Sequence, residues 1–374
     1  MDYLKNLKIN NFRGLKNLEI DNLKRVNIFV GNNNAGKTSI LEAIQIFLNP
    51  TEYTLYLISV GRERYKSSPF SGLSFIESMS WLFNFKGSEN NFFEIEGKLI
   101  GKEEKLRIQE KMTKKIVDID SLPRLWKIRR QFNNEIIESE KEIDNLLIRI
   151  DYSKKKEKKI FQDYENFKYN FEVNEYSERS FRRKQSFNVN IIQTIDNIIT
   201  DSFISEILNN KEYKDEAVKL LKFFDKNILD IRMIRDERRR INIYLELLKK
   251  EYIPISLYGD GIKKALSILN KLIKSRDGIL LIDEYEMSLH TSIMNQFFRF
   301  MIETSKKLNI QLFLTTHSLE AVDKLLKSNK DNLDEINVIR LRNQSEKTYA
   351  KVIDGKKALE NREDYEMELR VWER

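Results

Sequence analysis

Two periods of apolar residues divide the chain. Nearly continuous apolar runs at Arg25-Val26-Asn27-Ile28-Phe29-Val30, at Gly278 to Ile282 and at Ile310 to Thr316 predict strands buried on both faces. Looser alternation at Tyr3 to Phe12 and around Leu18-Glu19-Ile20 predicts half-buried strands, joined by a turn at Arg13-Gly14. Asn91 to Met112 alternates as a hairpin, which gives a small antiparallel sheet packed on the main lobe. Residues 51 to 90 mix helical and loop patterns around Pro69. From Arg124 the period changes: Phe132, Ile136, Ile143, Leu146 and Ile150 take a and d places of a heptad, with Ser139 interrupting. A lysine-rich turn from Lys154 to Lys159 follows, and then Ile160, Tyr164, Phe167 and Phe171 repeat at spacings of four and three. The prediction is a short antiparallel coiled-coil hairpin, about three turns or more per arm. Beyond it come a strand at Phe187 to Ile192 and an amphipathic helix over 195 to 227, broken near Asn209-Asn210. Ile228 to Ile234 and a strand into Pro254 come next; two strands at Glu335 to Leu341 and Thr348 to Ile353 and a short helix close the pattern. The expected division is an N-terminal lobe at 1–123, a helical hairpin insertion at 124–186 and a C-terminal lobe at 187–374.

Composition narrows the chemistry. With 374 residues the chain can bury a large core in two or three domains. It has no cysteine, which excludes disulfides, thiolate metal sites and cysteine nucleophiles. Its two histidines, His290 and His317, are too few for a histidine-rich metal centre. The net charge of +8 permits a nucleic-acid partner, and a lysine-rich solvated surface explains it equally well. Residues Arg124 to Lys184 hold 16 basic and 12 acidic residues, half of that net charge. This segment reads as a docking arm or as an ordinary subdomain. Arg238-Arg239-Arg240 is diluted by Asp236 and Glu237, so phosphate contact there is the lesser reading. No apolar run reaches about 18 residues and no leader pattern opens the chain, so a soluble cytoplasmic protein without a membrane partner is expected.

The chemistry is concentrated in Gly31 to Ser39, GNNNAGKTS. It satisfies G-x-x-x-x-G-K-S/T at Gly31, Gly36, Lys37 and Thr38, with a buried strand entering and a helix, Ser39 to Ile44, leaving. Such a turn aims backbone N–H groups and a helix N-terminus at one point, which suits a triphosphate. Asn32, Asn33, Asn34, Ala35, Gly36 and Ser39 would line the phosphates, Lys37 would reach the β and γ groups, and Thr38 would hold Mg²⁺. Asp283 and Glu284 end a buried strand, the pattern of a Mg²⁺-holding Asp followed by a water-activating Glu. His317 ends the next buried strand, where it can bond a γ-phosphate oxygen, while His290 falls in a turn. Gly259-Asp260-Gly261 opens a helix and is a second candidate phosphate seat. Arg13 is either a surface turn residue or a phosphate contact.

Taken together, NNFRG, GNNNAGKTSILEAI, LYGDGIKKAL, ILLIDEYEMSLH and FLTTHS resemble the ATP-binding-cassette (ABC) ATPases of the RecF, SMC and OLD type. The resemblance covers roughly residues 1 to 112 and 187 to 355. It implies an α/β P-loop ATPase head of ABC type with an antiparallel β lobe, the helical coiled-coil hairpin being a variable insertion. It further implies ATP and Mg²⁺ as cofactors, Glu284 as base, His317 as switch histidine, Asp283 and Thr38 as metal ligands, and Arg13 on the phosphate side. Gly259, Asp260 and Gly261 would complete the site of a second copy, so that a homodimer or higher homo-oligomer sandwiches ATP. Most cassette ATPases carry serine where this chain has Gly259, and the family's glutamine loop falls near Gln193. Similar stand-alone proteins serve bacterial anti-phage defence. Only 57 residues follow His317, too few for the Toprim nuclease of OLD-type proteins, so the expected effector, a nuclease for instance, is a separate chain. The arrangement is similar to the ATPase of PARIS or Septu systems. Two further readings stand beside it: a RecF-like repair ATPase that binds DNA directly, and an ATP-binding scaffold with little hydrolysis.

Overall fold

The structure, a computed structural model, describes residues 3–61, 75–83, 91–118, 140–157, 162–174, 187–192, 206–235, 241–248, 251–344 and 347–365. A six-stranded sheet forms its centre, in the order β15 (Lys347–Asp354), β14 (Ile336–Gln344), β3 (Val26–Val30), β13 (Gln311–Thr316), β12 (Ile279–Ile282) and β8 (Val189–Ile192). All neighbours run parallel except β15, which closes the edge antiparallel to β14. The continuous apolar runs lie here, because both faces are covered. Val26, Ile28 and Val30 join one core cluster while Phe29 between them joins the other. Phe29 stacks on Phe313 of the neighbouring strand with ring centroids 6.3 Å apart.

The first cluster packs helices α5 (Asp260–Lys274), α6 (Thr291–Lys307) and α7 (Leu319–Ser328) on the sheet. Its flank carries α4 (Lys211–Leu221), capped by Asn210, and a three-stranded sheet in which β10 (Ile241–Leu247) lies between β9 (Ile228–Arg235) and β11 (Tyr252–Pro254). The second cluster holds α1 (Lys37–Leu48) between the parallel sheet and a second six-stranded sheet. That sheet runs β2 (Leu18–Ile20), β1 (Leu4–Asn10), β4 (Asn91–Leu99), β5 (Lys102–Asp118), β6 (Glu140–Glu157), β7 (Gln162–Asn174), with every pair antiparallel. Helices α2 (Glu52–Gly61) and α3 (Phe75–Ser80) lie beside it, and α8 (Gly355–Tyr365) follows β15.

Among the described residues the expected coiled-coil hairpin is not formed: two of its segments are the strands β6 and β7. Ile143, Leu146 and Ile150 obey a heptad, but Leu146, Ile148 and Ile150 also obey period two, and all three are buried while Arg149 is exposed. Ile148 is the deciding residue, since no helical seam through Leu146 and Ile150 needs it. A run rich in β-branched residues then favours the pleated ladder, which extends β5 over fifteen paired positions from Glu104–Lys154 to Asp118–Glu140. Lys115 reaches Glu172 across it at 2.6 Å, so part of the charge read as a docking arm is paired within the sheet. Phe132, Ile136, Ser139 and Ile160 lie outside the described residues.

Candidate functional site

The phosphate loop leaves the C-terminal end of β3 and turns into α1. Gly36 caps that helix at φ 91°, a left-handed conformation that glycine adopts without strain, and a Cβ there would stand 2.6 Å from Leu15 Cδ2. A Cβ on Gly31 would stand 2.9 Å from the carbonyl oxygen of Leu341 on β14. Both glycines are therefore dictated by close packing. Asn32, Asn33 and Asn34 are exposed, whereas Ala35, Lys37 and Ser39 are buried. The first turn of α1 contains no acidic residue, which leaves its N–H groups and helix dipole open to an anion. Lys37 Nζ folds back onto the carbonyls of Gly31 and Asn32, at 2.8 and 3.1 Å. Burial lowers its pKa, while Glu284, Asp283 and Glu286 favour its charged form.

Parallel pairing brings the other groups here. In register, Ile282 of β12 faces Leu314 of β13, so Asp283 and Thr315 meet just past that pair. Thr38 Oγ1 lies 3.1 Å from each Asp283 carboxylate oxygen, and Thr315 Oγ1 donates to Asp283 Oδ1 at 2.6 Å. The same Thr315 oxygen accepts the N–H of Glu284 at 2.9 Å. Glu284 has φ 49°, an uncommon conformation for a non-glycine residue, and it directs the side chain to His317, whose Nδ1 is 2.5 Å from Glu284 Oε2. Residues 245 apart in sequence thus share one hydroxyl–carboxylate pair at the mouth of the loop. A hydroxyl and a carboxylate are hard oxygen donors, the set that Mg²⁺ takes, and an N-terminal helix end with a buried lysine is the set that phosphates take. The residues fit both ATP and Mg²⁺.

Behind this group stands Glu286, buried, with Thr316 donating its hydroxyl at 2.5 Å. Burial pushes its carboxyl up to about 7, against the lowering effect of Thr316. Ligand atoms of Glu284, Glu286 and His317 lie within 4.8 Å of one another. Sequence reasoning passed over Thr315, Thr316 and Glu286. The available signal was a pair of hydroxyl residues closing an otherwise apolar buried strand, beside a third acid two places after Glu284.

Other sequence candidates sit elsewhere. Arg13, at φ 51°, pairs its Nε with Glu42 Oε2 at 2.8 Å and donates Nη2 to the carbonyl of Ile58 at 3.0 Å. It braces α1 against α2. Gly259 caps α5, and Asp260 is exposed and paired with Lys263. A Cβ on Gly261 would lie 2.7 Å from the Ser288 carbonyl oxygen, so glycine lets this helix start press on the turn after Glu284. A Cβ on Gly259 would meet nothing within 4 Å, so space does not explain the missing serine. His290 caps α6, its Nδ1 accepting from the N–H of Ser292 at 3.3 Å. Gln193 and residues 236–240 lie outside the described residues. Among the described residues no helix is long and apolar enough to cross a membrane.

Comparison with known proteins agrees with this geometry. The family model described as AAA ATPase domain matches residues 3–322. An ATP/GTP phosphatase of Helicobacter pylori is 25% identical over 345 residues, 86% of each chain. The RecF DNA replication and repair protein of Clostridium acetobutylicum is 60% identical over 42 residues, 11% of this chain and 12% of that protein. A solved SMC head bound to the C-winged helix domain of ScpA is similar with 14% identity and a TM-score of 0.49, covering 96% of this chain and all of the other. The family match spans the loop, the acidic strand end and the histidine strand end, and the chain belongs to the AAA ATPase domain family.

Proposed function

We propose that this ATPase uses Mg²⁺–ATP hydrolysis as a switch, working as a sensor or scaffold that controls a separate effector protein in bacterial defence against phage. The observation that carries the ATP chemistry is the contact between Thr38 of the phosphate loop and Asp283 of the acidic strand end, at 3.1 Å. Thr38 and Asp283 would hold the Mg²⁺, which when bound screens charge on the β and γ phosphates. Lys37 would leave the Gly31 and Asn32 carbonyls for those phosphates. Glu284 would take a proton from the attacking water as its oxygen bonds the γ phosphorus and the bond to the bridging oxygen breaks, releasing ADP. His317 would bond a γ oxygen through Nε2. Leu257 and Met287, 76% and 46% exposed, flank the turn at Gly259 to Gly261. Two such large apolar side chains in water beside a helix start support the docking of a second copy there, with ATP between. The effector and the defence role are supported by the motif set's resemblance to OLD, PARIS and Septu ATPases.

Hydrolysis is tested with Glu284→Gln, which should bind ATP as the parent does and lose at least roughly a hundredfold in kcat. An unchanged kcat would leave the scaffold reading. For the partner, the tagged chain is co-expressed with its neighbouring genes and purified in ATP, with Lys37→Ala as control. A stoichiometric second protein, lost in Lys37→Ala, is the expected result; DNA alone would favour the second reading. That second reading, direct DNA binding, is favoured by the local identity to RecF proteins. It requires affinity that falls steeply and linearly with log salt.

A further inference from the structure

The phosphate loop is gripped by a part of the chain that follows every motif read from the sequence. Strands β14 and β15 lie beyond FLTTHS, yet the end of β14 rests against the loop. Leu341 is buried there, and its carbonyl oxygen is the atom that a Cβ on Gly31 would meet at 2.9 Å. Two residues on, Asn343 Nδ2 donates to the carbonyl of Asn34 at 3.3 Å. At the other end of the loop, Leu15 is the neighbour that a Cβ on Gly36 would strike. These two contacts are joined to each other. Thr348, the register partner of Asn343, donates its N–H to the Lys16 carbonyl at 2.7 Å, and its Oγ1 accepts the Lys16 N–H at 3.1 Å. The contacts thus close a ring that runs from the loop through Leu15 and Lys16 to Thr348, then through Asn343 back to the loop.

The bond to Asn34 falls where the loop needs holding. Asn34 is the non-glycine residue of the loop with a left-handed backbone, φ 67°, a conformation that persists where its surroundings fix it. Its carbonyl and the N–H of Ala35 belong to one planar peptide group. That N–H donates to the Asn32 carbonyl at 3.1 Å, so the group is held at both ends and rotates only by breaking both bonds. A phosphate seat made of backbone N–H groups is spoiled by a carbonyl oxygen turned into it, so a fixed Asn34–Ala35 peptide keeps the seat formed before nucleotide arrives. Core packing accounts for Leu341. It does not account for Asn343, which is exposed and spends its amide on the loop backbone.

We propose that the β14–β15 pair is a clasp that pre-forms the phosphate loop, with Asn343 and Thr348 as positioning residues for nucleotide binding. The clasp rests on the ATPase reading and adds to it a control of affinity from outside the motifs. Asn343→Ala removes the bond to Asn34, and Thr348→Val removes the bond to the Lys16 N–H at constant shape. Each should raise the Kd of a non-hydrolysable ATP analogue with Mg²⁺ roughly three- to tenfold, the size of one neutral hydrogen bond, and leave kcat with ATP within about twofold. Thr348→Ser keeps the hydroxyl and should hold the Kd within about 1.5-fold of the parent. So should Gln344→Ala, whose side chain leaves the opposite face of β14 from Asn343. The double variant of Asn343→Ala and Thr348→Val should lose less than the product of the two, because the second cut falls on a ring already open.

Amide hydrogen exchange in the nucleotide-free chain supplies a readout that a general loss of stability would not give. In Asn343→Ala the amides of residues 31–37 should exchange faster, while those of β12 keep the parent rate. If Thr348→Val does not fold, Asn343→Ala decides by itself, its side chain being exposed. Exchange unchanged at the loop, exchange quickened equally throughout the chain, or a Kd unchanged by Asn343→Ala overturns the clasp alone. A parent chain that binds no nucleotide overturns both the clasp and the reading beneath it.

Discussion

Thr315 is the residue on which the acidic strand end depends. It is fully buried; its hydroxyl donates to Asp283 Oδ1 at 2.6 Å and accepts from the Glu284 N–H at 2.9 Å. Thr315→Val keeps the shape and removes both bonds. A hydrogen bond to a charged group contributes about 1.5 to 3 kcal/mol and an orphaned buried N–H costs about 1 to 3 kcal/mol, so the expected loss is about 3 to 5 kcal/mol. Thr315→Ser keeps both bonds and drops one methyl, at about 1 kcal/mol. Urea titration of the three chains measures these differences. The Mg²⁺ dependence of the ATPase provides a second axis, because an Asp283 that has lost the Thr315 hydrogen bond is less well aimed. The half-saturating Mg²⁺ should therefore rise in the valine variant and stay put in the serine variant. Equal destabilisation by valine and serine, with unchanged Mg²⁺ dependence, would refute the reasoning and make Thr315 an ordinary packing residue.

Two further outcomes follow from the packing. Burial raises the Glu110 pKa to about 7 although Asn91 and Ser80 donate to it, so its neutral form is favoured in the fold. A carboxyl raised in this way supports stability below its unfolded value and loses that support as pH rises through about 7. Glu110→Gln should remove the slope and gain about 1 to 2 kcal/mol on the parent between pH 5 and pH 8, after discounting for partial solvent screening, as read by urea titration at both pH values. Gly261→Ala places a Cβ against a backbone oxygen at 2.7 Å and should cost about 1 to 3 kcal/mol, while Gly259→Ser, with open space, should stay within about 0.5 kcal/mol; thermal unfolding separates them.

The central sheet was legible in the sequence because burial on both faces leaves no polar alternation to misread, and Val26 to Val30, Ile279 to Ile282 and Gln311 to Thr316 are strands as expected. The hairpin at Asn91 to Met112 was legible for the opposite reason, one face of it being wet, although its second strand runs on to Asp118. Residues 140 to 174 failed between these cases. Every apolar residue used for the heptad there was real, and Leu146, Ile150 and Phe171 are buried. What chose the ladder was long-range: β5 offers a free edge of matching length and opposite charges, and period two lets β6 lie on it. A heptad frame describes one segment in isolation, whereas a strand is stabilised by a neighbour that the local pattern does not name.

The site divides in the same way. Lys37, Thr38, Asp283, Glu284 and His317 carry spacing signals because each must stand at a strand end or a glycine turn, and those places announce themselves. Thr315, Thr316 and Glu286 do not, since their roles come from strand register. Thr315 bonds Asp283 only because Ile282 pairs with Leu314, and a shift of one residue would turn its hydroxyl to the other face. Thr315 and Thr316 are consecutive, so their side chains leave opposite faces of β13, and one engages Asp283 while the other engages Glu286. The strand end therefore grips an acid on each side, Asp283 through Thr315 and Glu286 through Thr316.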